Sequence, residues 1–169
     1  MGVRENDPQK KRVYSWEGAW ADWNSHTISI TVARKYIRWA CHLYGVPYPS
    51  VKQHHTQEYS YSQGYTDGPA GTLISIAHGQ CNRAIALHEA AHYISDWIFG
   101  SSVPPHSPQW LAIYLWLLVE ARIAPRIALL ASAKAKKIRW VPLWQVSPKR
   151  LARYPHQRPP KKKAKPPAR

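Results

Sequence analysis

Asn82 to Gly100 reads N-R-A-I-A-L-H-E-A-A-H-Y-I-S-D-W-I-F-G, and this stretch decides the fold. Asn82 is a strong N-cap residue and Gly100 a strong stop, so the spacing predicts a helix from Asn82 to about Phe99. Residues four apart share a helix face, which lets His88 and His92 point their imidazoles at one ion. Glu89 is displaced around the helix by one residue. A carboxylate there lies near the ion, where it can hold a water and take its proton. Ala90 and Ala91, between the histidines, leave room for a closely packed neighbour. A histidine pair on a helix is by itself more often packing or surface. Here the cap, the stop and a strand-like run just upstream set the pair in mid-helix, which favours a metal site.

Working outward, residues 72–77 (TLISIA) read as a strand, and so do residues 51–61 (VKQHHTQEYSY). Gly64, Asp67, Gly68 and Pro69 lie between them, so the pair is expected to form a short antiparallel hairpin. Further upstream, Val13, Trp16, Trp20 and Trp23 recur at helical spacing. Ile30, Ala33, Ile37, Ala40, Cys41 and Tyr44 mark the buried face of a second helix, with Ser25 or Thr27 as its cap and Gly45 and Pro47 as its stop. Downstream, Ser107 caps a helix that opens on Pro108. Trp110, Leu111, Tyr114, Leu115, Leu117 and Leu118 make that helix apolar nearly all round, hence deeply buried, and Pro125 breaks or kinks it.

These elements predict an α+β fold: N-terminal helices, a short antiparallel hairpin, the histidine helix and a buried C-terminal helix. Residues 1–12 read as a flexible N-terminus, 13–146 as one domain, and 147–169 as a basic, proline-rich, disordered tail. The chain has 169 residues, 44% of them hydrophobic, with nine Trp and ten Tyr, enough for one real core. Its net charge of +15 suits nucleic acid, an anionic membrane surface or acidic proteins as neighbours. The tail, ending KKKAKPPAR, is a candidate for non-specific nucleic-acid binding through phosphate contacts. The longest apolar run, Trp110 to Val119, is about half of what a bilayer span requires, so no transmembrane segment is expected. Met1 to Arg12 is charged with no apolar stretch after it, and Cys41 and Cys81 form no CxxC pair. Together these read as a cytoplasmic protein with two reduced, buried thiols.

A catalytic zinc takes three protein ligands and keeps one open position. Candidates for the third are His106, Asp96 and Glu120. Asp96 shares the face of His88 and His92, but three ligands in a row on one straight helix cannot easily surround an ion. Glu120 reads equally well as a surface carboxylate beside Arg122. His106 follows a rigid Pro-Pro step and precedes a capped helix, which makes it the favoured ligand. His78, Tyr93 and Tyr114 are candidates for steadying an oxyanion. His54 and His55 are strand neighbours facing opposite sides, and His26, His42 and His156 have no partner spacing.

His88-Glu89-Ala90-Ala91-His92 is the helical HExxH pattern of zinc metallopeptidases. Leu87 to His92, followed by His106-Ser107-Pro108-Gln109-Trp110, resembles the LHExxH and HGPxF arrangement of SprT-like zincins. It is especially similar to small metallohydrolases of actinobacteria and their phages. Arg12-Val13-Tyr14-Ser15-Trp16-Glu17 resembles an N-terminal motif of that group. The resemblance covers roughly residues 12–120 and departs at Ser107, where Gly is usual. It implies a minimal zincin-like fold, Zn2+ held by His88, His92 and His106, Glu89 as general base, and a protein or peptide substrate. In such a fold the strand at 72–77 would flank the cleft and could pair with an extended substrate backbone. The alternative is a nucleic-acid-associated protein with a structural or degenerate zinc site. An intact Glu89 speaks against it, because a structural site has no use for a base beside its ligands.

Overall fold

The computed structural model describes residues 7, 9–20, 26–55, 60–63, 73–100 and 103–151. In chain order they form α1 (Lys10–Gly18), α2 (Ile30–Tyr44), β1 (Ser50–His54), β2 (Tyr61–Gln63), β3 (Leu73–Ala77), α3 (Arg83–Phe99), α4 (Pro108–Glu120), α5 (Arg126–Ala135) and the short α6 (Pro148–Leu151). Short 3-10 turns at His78–Gln80 and Leu143–Val146 join them. The result is mixed helix and strand, and mostly helical.

The helix boundaries follow local chemistry. In α2, Ala33, Ile37, Ala40, Cys41 and Tyr44 are buried on one face. Ser29, rather than Ser25 or Thr27, caps it by accepting from the Val32 N–H. Gly45 closes it at φ 65°, a left-handed value that glycine adopts without strain, and the Val46 N–H reaches back to the Cys41 carbonyl at 3.0 Å. Asn82 caps α3 by accepting from the Ile85 N–H at 2.8 Å, an interaction worth about 1 kcal/mol. Ser107 caps α4 through the Trp110 N–H, with Pro108 in the first turn. Pro125 does not kink α4. That helix ends at Glu120, and Pro125 opens α5 instead.

The sheet corrects the expected hairpin. β3 is its middle strand, and β1 runs parallel to β3 with Val51 opposite Ile74 and His54 opposite Ala77. The run read as one strand over 51–61 ends at His54. Tyr61–Gln63 returns as β2, antiparallel on the other side of β3. Residues 55–72 supply the long connection that a parallel pair needs. Ile74, Ser75, Ile76 and Ala77 are all buried, the continuous burial of an inner strand rather than the alternation of a half-exposed one. β1 and β2 thus lie on either side of β3, with β2 pairing only Leu73, Ile74 and Ser75.

The core lies between α3 and its two helical neighbours, α2 and α4. α3 is buried around most of its circumference, and Ala84, Ala86, Ala90 and Ala91 let the neighbours approach closely. α4 buries Trp110, Leu111, Ile113, Tyr114, Leu115, Leu117 and Leu118. α1 closes the remaining side: Trp16 is buried, packs edge-on against Tyr114, and donates its indole N–H to the Ser132 hydroxyl of α5 at 2.9 Å.

The N-terminal stretch is more engaged than its composition suggests. Gln9 is buried and α1 already begins at Lys10, inside the segment expected to be loose. Trp20 lies just past α1, and Trp23 is outside the described residues. At the other end, Leu151 of α6 is buried, and the rest of the expected tail, from residue 152, is outside the described residues. No helix among the described residues is long and apolar enough to cross a membrane.

Candidate metal centre

Two elements bring the three histidines together. His88 and His92 lie one turn apart on α3, and His106 sits in the turn before α4. The Nε2 atom of His88 is 3.1 Å from that of His92 and 3.4 Å from that of His106. All three ligand nitrogens lie within 4.8 Å of one another, close enough to hold one metal ion. His88 and His106 are buried and His92 is half-buried. Asp96 and Glu120, the other candidates for third ligand, do not join this group. Glu120 is exposed at the end of α4, and its charge acts on Tyr44.

His106 has φ 53°, a left-handed conformation that costs a non-glycine residue free energy and persists only when the surroundings enforce it. Gln9 enforces it. Its side-chain amide donates to the His106 carbonyl at 3.0 Å and to the Arg139 carbonyl at 3.1 Å, while its oxygen accepts from the Arg139 N–H at 2.6 Å. The Pro-Pro step contributes as well, through the Ser107 N–H to the Pro104 carbonyl.

Two carboxylates then fix the rings from behind. Glu17 Oε1 lies 2.7 Å from His88 Nδ1, and Asp7 Oδ2 accepts from His106 Nδ1. An ionised carboxylate accepts only, so the ring proton belongs on Nδ1, and the Nε2 lone pair is left facing the centre. Lone pairs converging at 3.1 and 3.4 Å repel unless a proton or a cation sits among them. The donor set therefore fits a divalent metal ion.

The charges follow from these contacts. Glu17 is desolvated, yet the His88 charge and hydrogen bonds from His88 and Tyr114 hold it below the ordinary carboxylate range. Burial pulls His88 down, but the Glu17 carboxylate more than offsets this, so His88 ends above its ordinary value. Burial and the His88 charge together lower His106. Glu89, next to His88 on α3, is almost fully buried, and desolvation raises it from 4.5 to about 7. Among the described residues its Oε2 has no hydrogen-bond partner. A buried carboxylate oxygen without a partner is costly and marks a place prepared for a ligand or water.

Aromatic rings wall the cluster. Trp110 of α4 stacks on His92 at 4.6 Å between ring centroids, and Tyr114 meets His88 edge-on at 5.4 Å. Tyr14 of α1 lies against both His88 and His106.

His88, Glu89, His92 and His106 stand out in the sequence, whereas Asp7 and Gln9 do not, and Tyr14 does so only as part of the Arg12–Glu17 motif. Glu17 falls inside the Arg12–Glu17 motif, but the motif assigns it no role. Comparison with family models, with curated proteins and with solved structures gives no match for this chain.

Proposed function

We propose that this chain is a zinc-dependent metallopeptidase of the zincin type, in which His88, His92 and His106 hold the ion and Glu89 is the general base. The observation that carries the reading is the buried Glu89 carboxylate, with an unpartnered oxygen, beside three converging imidazole nitrogens. A zinc ion bound there supplies a Lewis acid that acidifies a water and polarises a peptide carbonyl.

The residues of the chain do the rest. Glu17 and Asp7 keep the His88 and His106 rings in the ligating orientation, so little reorganisation is needed. Glu89 takes a proton from the attacking water and returns it to the departing amide nitrogen. Burial raises Glu89 to about 7, where a carboxylate can both accept and release a proton near neutral pH. A structural site would close its shell with a fourth protein ligand, whereas the cluster among the described residues has three.

The test compares zinc-loaded full-length protein with its Glu89→Gln variant on casein and a peptide library. The parent should cleave. The variant should keep about one zinc per chain and lose hydrolysis by roughly 10²–10⁴-fold, because the base is not a ligand. Equal cleavage by parent and variant would remove Glu89 from the mechanism, and a parent that binds zinc without cleaving would remove the peptidase.

A further inference from the structure

Peptide hydrolysis at this centre calls for one more group: a donor for the carbonyl oxygen as it gains negative charge. The three side chains that the sequence suggests for this role are engaged elsewhere. The Tyr93 hydroxyl donates to the Pro47 carbonyl at 2.7 Å. Tyr114 is fully buried, with its hydroxyl directed to the Glu17 carboxylate and, at 3.4 Å, to the Ala84 carbonyl. His78 is exposed after β3, with its ring 5.0 Å from that of His55.

Tyr14 is placed differently. It lies on α1, three residues before Glu17 and so on the same face. Its ring is nearly parallel to His88 (5.9 Å between centroids, 16°) and edge-on to His106 (5.2 Å, 73°). It therefore lies against two of the three ligands, and it is itself 47% exposed. Among the described residues its hydroxyl makes no hydrogen bond, and the Lys10 ammonium lies 5.9 Å from its ring. Burial raises the phenol to about 12, followed by the negative charges of Glu89, Glu17 and Asp7 in that order.

We infer that Tyr14 is a catalytic residue, donating its phenolic hydrogen bond to the carbonyl oxygen of the scissile peptide bond as that oxygen becomes negative. The inference rests on the peptidase reading above. Water adds to the carbonyl carbon and the C–N bond breaks. The water proton passes through Glu89 to the amine, and Tyr14 keeps its own proton throughout.

Tyr14→Phe removes the donor and leaves the ring that packs on His88 and His106. In the full-length, zinc-loaded variant, zinc content should stay at about one per chain. The kcat should fall roughly 10²–10³-fold with little change in KM, the loss expected for one oxyanion donor. Calorimetry with a phosphonamidate peptide, a tetrahedral anion resembling the intermediate, should show a comparable fall in affinity. If the parent cleaves and Tyr14→Phe matches it both in kcat and in phosphonamidate affinity, the role of Tyr14 is overturned while the peptidase stands. A zinc-loaded parent that neither cleaves nor binds the phosphonamidate overturns both.

Discussion

His88 and Glu89 are neighbours in the chain, and the fold pushes both in the same direction by different means. The Glu17 carboxylate raises His88, and desolvation raises Glu89 to about 7. In each case the folded, metal-free protein binds a proton more tightly than the unfolded chain. The stability from Glu89 is full below 4.5 and is lost as pH rises to about 7. That from His88 is full below 6.5 and is lost as pH rises through its higher folded value. Zinc requires the unprotonated imidazoles, so its stabilisation runs the other way and grows with pH. His106, lowered in the fold by burial and the His88 charge, contributes in the opposite sense up to 6.5, so the thermal midpoint of the metal-free protein should fall between about pH 6.5 and about pH 8, while the gap to the zinc-loaded protein widens. The widening should reach about 1.4 kcal/mol per pH unit for each proton that zinc displaces. A gap of equal size at both ends of the range would show that protons and metal do not compete at this cluster.

At the scale of elements, α1 belongs to the metal centre. It carries Glu17 and Tyr14, and the residues just before it carry Gln9 and Asp7. Glu17→Gln keeps an oxygen that can accept from His88 Nδ1 but removes the charge. Zinc affinity measured by chelator competition should fall roughly 10–100-fold, with the fold retained. An unchanged dissociation constant would reduce α1 to a packing element. The sequence could not reveal this role. Glu17 and Asp7 meet their histidines across 71 and 99 residues, and no local spacing encodes such a pairing. His88, Glu89 and His92 were legible because one helical turn fixes them relative to one another, and His106 because Pro104, Pro105 and Ser107 set its turn. The caps Asn82 and Ser107 and the stops Gly45 and Gly100 were legible for the same local reason. Strand pairing was not, because direction depends on what a strand meets in space. The sequence TLISIA is compatible with a hairpin edge, and its burial on both faces decided for an inner strand.

At the scale of the molecule, charge is segregated along the chain. All nine acidic residues lie at or before Glu120, together with nine Lys and Arg, so that part is formally neutral. The remaining 15 Lys and Arg follow Glu120 with no acidic residue among them and account for the whole net charge of +15. The histidine cluster lies in the neutral part. The basic part begins at Arg122, just before α5, and contains Arg139, whose backbone is tied through Gln9 to the carbonyl of His106. α3, the turn before α4, and the N-terminal segment with α1 thus meet at one point. Zinc K-edge X-ray absorption on the zinc-loaded full-length chain examines that point directly. Three imidazole nitrogens at about 2.0–2.1 Å and a single light oxygen completing four-coordination are expected. A sulfur shell at about 2.3 Å, or fewer than three imidazoles, would contradict this.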